Sequence, residues 1–179
     1  GIAGAKKQEG AKGTTGKIVK IGLVAPLTGG GATFGNSFTS AIKLAQEDIK
    51  GTKNTYEVIV EDDGTNPAQS ASAAQKLINV DKVDAIVSMT SGTGNAIKPI
   101  ALASKIPHIC ICSDITIGNA EYNFTNLILP DEEASDWLSR AQSKGIKTIA
   151  VLHQNHPGIN AIIDSIVKLA PQYKITIVH

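Results

Sequence analysis

From residue 18 to the end of the chain, short apolar runs alternate with segments whose apolar residues recur at the helical period. Ile18–Ala25 reads as a strand that stops at Pro26. Phe38, Ala41, Ile42, Ala45 and Ile49 then fall at i, i+3, i+4, i+7 and i+11, one face of a helix. Residues 56–61 are strand-like, and Pro67 is placed to open a second helix reaching about Val80. Residues 84–89 form a third strand. Ile97, Ile100, Ala101 and Ser104 mark a short helix that contains Pro99, and residues 107–112 form a fourth strand.

The second half repeats the pattern. Residues 123–129 are extended and apolar, and Ala134, Trp137, Leu138 and Ala141 follow Pro130 at helical spacing. Residues 148–153 read as a strand. Ile159, Ile162, Ile163, Ile166 and Val167 draw a helical stripe that stops near Pro171, and residues 174–178 are a last strand. Strands alternating with helices of this length pair in parallel through right-handed crossovers. The strands are continuous apolar runs, as expected where helices cover both faces of the sheet. The expected fold class is α/β, a doubly wound parallel sheet.

Composition narrows the partners. The chain has 179 residues with 42% hydrophobic, 18% charged and 4% aromatic side chains, and a net charge of +1. A nucleic-acid site needs clustered cations and stacking rings, which this balance does not supply. No apolar run approaches the roughly 20 residues of a membrane helix. Residues 1–16 are mostly Gly, Ala, Lys and Thr and read as a flexible leader, either the tether of a lipid-anchored exported protein or an expression remnant. No secretory signal stands at the start, so an export signal is expected to have been removed or to lie outside this sequence.

In a doubly wound sheet, ligands bind at the carboxyl ends of the strands, where loops run into helix N-termini. Four loops qualify: residues 26–35, 62–67, 90–95 and 113–118. In the first, Gly29, Gly31 and Gly35, with Asp62 and Asp63 at the end of the second strand, approach a dinucleotide fingerprint. The third glycine is one residue late, and Pro26, Leu27 and Thr28 separate the strand from the glycines. In the third loop, the amides and hydroxyls of Thr90, Ser91, Gly92, Thr93, Gly94 and Asn95 can cradle a carboxylate or phosphate, or Ser or Thr can simply cap the helix. In the fourth, Ser113, Asp114 and Thr116 place an acid beside hydroxyls, suited to an ammonium group or to capping a turn.

No nucleophile elbow, phosphate-binding Walker loop or Cys–His–acid set is present, so no enzyme is expected, nor any cofactor. His153 and His156 lack a third ligand near them in sequence, and no metal is expected there. Cys110 and Cys112 point to one face of a strand, with a backbone spacing near the upper limit for a disulfide, and read as two small buried hydrophobes. Asn123, Phe124 and Thr125 form a glycosylation sequon.

Taken in order, these segments resemble the type I periplasmic binding proteins of ABC transporters, specifically the branched-chain amino-acid binding branch. Ile21 through Gly29 is similar to that family's opening strand, and Ala32, Thr33, Phe34 and Gly35 to its Ala-x-aromatic-Gly turn. Glu61, Asp62 and Asp63 with Pro67, and Ile106 and Pro107 leading to Ser113 and Asp114, match further hallmarks. The resemblance implies a clamshell of two α/β lobes that closes on a ligand. It divides the chain into lobe 1 over residues 17–130 and the incomplete start of lobe 2 over residues 131–179. It implies that Ser91, Gly92 and Thr93 bind a ligand carboxylate. Cys112 (through its carbonyl), Ser113 and Asp114 would flank an ammonium, and Phe34 would cover the ligand.

The chain departs from the pattern at Pro157, where the family has an aromatic before Gly158. It also corresponds to the N-terminal half of the family's length, so weak binding is expected, with either self-association through uncovered apolar faces or loose packing of the second portion. The expected partners are a small-molecule ligand (an amino acid or related carboxylate) and a membrane permease, in a periplasmic or extracellular setting. A ligand-sensing receptor domain shares the same clamshell, and a nucleotide-binding flavodoxin or Rossmann-type enzyme is the third reading.

Overall fold

A computed structural model describes residues 16–119 and 121–178; the leader reading concerns residues 1–16, of which all but Gly16 lie outside the described residues. Strand β1, Ile18–Ala25, is the organising element. It pairs in parallel with β2, Thr55–Asp62, along its whole length, from Ile18 against Thr55 to Ala25 against Asp62. Its other edge pairs with β3, Ala85–Met89, which continues to β4, His108–Ile111, and β5, Asn123–Thr125. The five-stranded order is β2-β1-β3-β4-β5, all parallel. This is the doubly wound α/β sheet that the alternation predicts.

The strand order reverses direction after β2, and right-handed crossovers then place α1, Ala32–Asp48, on one face and α2, Pro67–Lys76, with α3, Ser91–Ser104, on the other. Asn66 caps α2, its side chain accepting the amides of Ala68 and Gln69, and Pro67 takes the first helical position, where its missing amide costs nothing. Beneath α2 and α3, Val24, Ala73, Ala74, Leu77, Val83, Ile86, Ile97 and Ala101 form the main core. The helix from Pro67 runs on through a wide turn at Leu77–Asp81, so its apolar content reaches Val80 as the periodicity predicts.

A polar chain crosses the same face. The Asn123 amide donates to the Lys98 carbonyl at 3.2 Å, so its oxygen accepts from His108 Nδ1 at 2.7 Å. His108 Nε2 is then an acceptor and takes the Ser88 hydroxyl at 2.8 Å. All three side chains are fully buried, and together they tie β3, β4 and β5.

The second unit holds β6, Thr148–Ala150, and β7, Thr176–Val178, in a parallel pair with α4, Pro130–Ser143, and α5, Pro157–Leu169. Ala134, Leu138, Ile166, Leu169, Ala170 and Ile175 make its core. Strand β6 covers Thr148–Ala150, paired with Thr176–Val178, although the apolar run continues to His153. Likewise β5 covers three of the seven extended residues expected there.

Candidate functional site

The loop from β3 into α3 is built under local strain. Thr90 has a φ of 67°, costly for a β-branched residue, and its amide donates to the Ile111 carbonyl at the end of β4. The Thr93 hydroxyl donates to the Met89 carbonyl and so accepts from the Thr90 hydroxyl at 2.8 Å. Thr93 is thereby turned inward and fully buried, so it can present its amide but not its hydroxyl to a ligand. The helix opens at Ser91 with no side chain capping it. Its first helical bond runs from the Gly94 amide to the Thr90 carbonyl at 3.0 Å. The amides of Ser91, Gly92 and Thr93 are therefore the orphan donors of the first turn, and they carry the positive end of the helix dipole.

The loop after β4 packs onto this turn. The Asp114 amide donates to Ser91 Oγ at 3.2 Å. The Asp114 carboxylate holds its own turn together: Oδ1 accepts from the Thr116 amide and hydroxyl at 3.0 and 2.6 Å, and Oδ2 accepts from the Asn95 side-chain amide at 2.8 Å. Partial burial disfavours its charge, but the bonds from Thr116 and Asn95 outweigh that and hold its pKa below the ordinary carboxylate value. Cys112 is buried beside Asp114, and Ser113 is half-buried between them.

A second helix N-terminus faces the first. His156 caps α5: its Nδ1 accepts the Gly158 amide at 3.2 Å, so the neutral ring carries its proton on Nε2. That Nε2 lies 3.7 Å from where a Cβ on Gly92 would stand, and a Cβ on Gly158 would come within 2.7 Å of Ser91 Oγ. The two first turns meet because both carry glycine at the contact. The structure thus brings Ser91, Gly92, Cys112 and Asp114 together and adds His156. In sequence His156 stands out only beside His153, as a metal ligand without a third partner, and by its place before the Pro-Gly pair that opens α5. Phe34 stands outside this cluster, on the first turn of α1, with 71% of its surface exposed.

The glycine loop has a different internal logic from a nucleotide cradle. Asp62 Oδ1 accepts the amides of Leu27 and Gly64 at 2.8 and 2.9 Å, and Oδ2 accepts the Thr28 hydroxyl at 2.6 Å. The Thr28 hydroxyl and then the Gly64 amide lead in pulling its pKa down to about 2. Asp62, which ends the strand where a dinucleotide fold places its ribose-binding acid, is occupied in stitching two loops together. Gly35, the late third glycine, is where α1 crosses the backbone: a Cβ there would lie 2.0 Å from the Pro26 carbonyl oxygen. Among the described residues, no group of three His, Cys, Asp or Glu could hold a metal, and no helix is long and apolar enough to cross a membrane.

Comparison with known proteins fits this architecture. A search of curated proteins returns no match. Among solved structures, a solute-binding protein of an ABC transporter from Rhodopseudomonas palustris BisB5, in complex with 3,4-dihydroxybenzoic acid, superposes with a TM-score of 0.82 at 28% identity. The match covers 90% of this chain and 46% of that one. The leucine-binding protein LivK from Thermotoga maritima MSB8 gives 0.82 at 22% identity, over 89% and 47%. An R. palustris solute-binding protein in complex with 4-hydroxybenzoate gives 0.75 at 22%, over 90% and 46%. The chain spans about half the length of these structures. The sequence profile described as periplasmic binding protein matches residues 18–179, and the chain belongs to that family.

Proposed function

We propose that the protein of which this chain is part captures a small carboxylate between two lobes and delivers it to an ABC permease outside the cytoplasm. The carrying observation is the uncapped first turn of α3, where the amides of Ser91, Gly92 and Thr93 converge, faced by the Nε2 proton of His156. Donors from two helix N-termini, with no side-chain acceptor capping α3, form an anion site. The ligands named for the similar structures, two hydroxybenzoates and leucine, differ in their bodies and share a carboxylate.

The finer reading is a branched-chain amino acid. Its ammonium would lie against the Cys112 carbonyl, Ser113 and Asp114, whose carboxylate keeps acceptor capacity beyond its three bonds. Phe34, exposed on α1, would cover the ligand on closure. Capture of this kind serves transport and sensing alike; the named transporter components among the similar structures favour transport.

Calorimetry with leucine, isoleucine, valine and 4-hydroxybenzoate tests the reading. At least one should bind, and Ser91→Pro should weaken it about tenfold to a hundredfold, the worth of one hydrogen bond to a charged group. Proline is tolerated at the first helical position, and unchanged helix content by circular dichroism is required of the variant, because Thr90 before it already stands at a φ of 67°. Ser91→Ala, which keeps the amide, should lose less. Equal losses in the two variants would contradict the amide site.

A further inference from the structure

Two thiols lie beneath the candidate site. Cys110 belongs to β4, and Cys112 stands in a bend one residue beyond its end. Side chains two apart on an extended segment share a face. Here both pack with Ile117 in one buried cluster. Cys110 is pinned from above by α3: a Cβ on Gly94 would come within 2.4 Å of its sulfur, and the thiol points to the Thr90 carbonyl at 3.4 Å. Cys112 is the outer of the two, with its sulfur 4.0 Å from the Asp114 carbonyl.

We propose that Cys110 and Cys112 are a reversible dithiol–disulfide pair, and that closing the bond reshapes the loop that carries Asp114. In an extended strand, residues two apart have Cα atoms about 6.4–6.8 Å apart, at the upper end of what a disulfide spans. Closure therefore needs one end to give. The pairing of β4 with β3 ends at Met89 and Ile111, so Cys112 is outside the ladder and is the end that moves. A bond formed under such tension is readily reduced, as regulatory disulfides are and structural ones are not.

The two sulfurs have unequal roles. Cys112, outside the ladder and at the outer end of the pair, is the sulfur that attacks; the neighbouring Cys110, opposed by burial, favours its thiolate. The neighbouring Cys112, with burial, pushes the Cys110 thiol up. The Cys112 thiolate attacks a low-molecular-weight disulfide, and one thiolate leaves. Cys110 then attacks the Cys112 sulfur of the mixed disulfide, its proton passing to the second departing thiol. Two cysteine S–H bonds are exchanged for one S–S bond, and the external disulfide is reduced to two thiols. Closure withdraws Cys110 from the Thr90 carbonyl and Cys112 from the Asp114 carbonyl. Its effect on a ligand rests on the carboxylate reading above; the disulfide itself does not.

The test is intact mass on the reduced chain after incubation with glutathione disulfide, acid quenching, unfolding and alkylation. The expected product is lighter by two hydrogens, carries no alkyl group, and regains two alkylatable thiols on reduction. Two alkylated thiols after exposure, a stable mixed disulfide, or cross-linked dimers would overturn the proposal. Cys110→Ser should stop at the mixed disulfide on Cys112, and a Cys112→Ser chain should leave Cys110 unmodified. Closure that leaves unchanged the affinity for whichever of leucine, isoleucine, valine and 4-hydroxybenzoate binds the reduced protein would overturn the coupling to the loop. A reduced protein that binds no carboxylate would instead sink the function reading and leave the mass result standing.

Discussion

The two faces of the larger sheet are finished to different degrees. Under α2 and α3, Val24, Ile86, Ser88, His108, Cys110 and Asn123 are all sealed from solvent. On the opposite face Leu23 is covered, yet Ile109 and Phe124 remain 38% and 51% exposed, as do Leu44 on α1 and Ile49 just past its end at 64% and 36%. The second unit resembles the open face: Trp137, Ile149, Leu152, Ile159 and Ile163 line an apolar trough of about 560 Å³. Every residue of the candidate anion site in the first unit hangs from the sealed side, on α3 or on the end of β4. The difference separates a scaffold that holds donors still from surface that is free to associate.

The comparison breaks first on core truncations. Ile86→Ala or Leu77→Ala, in the sealed face, should cost about 2–5 kcal/mol in denaturant unfolding. Ile109→Ala should cost about 1 kcal/mol or less, since more than a third of that side chain is already in water. Similar costs on both faces would erase the distinction.

The polar chain inside the sealed face gives the next effect. Asn123→Ala strands the His108 Nδ1 proton and should cost about 1–3 kcal/mol. Burial, opposed by the Asn123 bond, holds the His108 pKa below its ordinary value near 6.5. The unfolded chain therefore binds this proton first as pH falls, so the contribution is complete above about 6.5 and is lost progressively below it. Urea midpoints from pH 8 to 5 should show that decline, and His108→Gln should flatten it. The smallest effect concerns stability of the open face: Phe124→Ser should change it by under about 1 kcal/mol while lowering the self-association seen by light scattering. Unchanged association would show that the exposed ring joins nothing.

Much of this was legible in the sequence. Parallel α/β alternation follows from the spacing of Val, Ile and Ala, and β1 falls where its apolar run does. Strand length was less legible: β6 spans three residues although its apolar run is longer, since apolar character marks burial and not pairing. The stripe Phe38, Ala41, Ile42, Ala45 and Ile49 does form a helix, yet Ala41, Ala45 and Ile49 are exposed: periodicity names a face and not what covers it. The Ser91 loop announced itself by small residues between strand and helix. His156 could not, since its meeting with Gly92 depends on how α5 approaches α3. Sequence cannot tell amide from hydroxyl at Thr93, whose hydroxyl is committed to the Met89 carbonyl.

The central claim is that the first turn of α3 recognises a carboxylate. Calorimetry with 4-hydroxybenzoate and leucine against their carboxamides, which keep the ligand body and remove the charge, tests it most directly. The account predicts that the binding carboxylate loses at least about tenfold in affinity as its amide, the equivalent of roughly 1.4 kcal/mol. Equal affinity for acid and amide would contradict it.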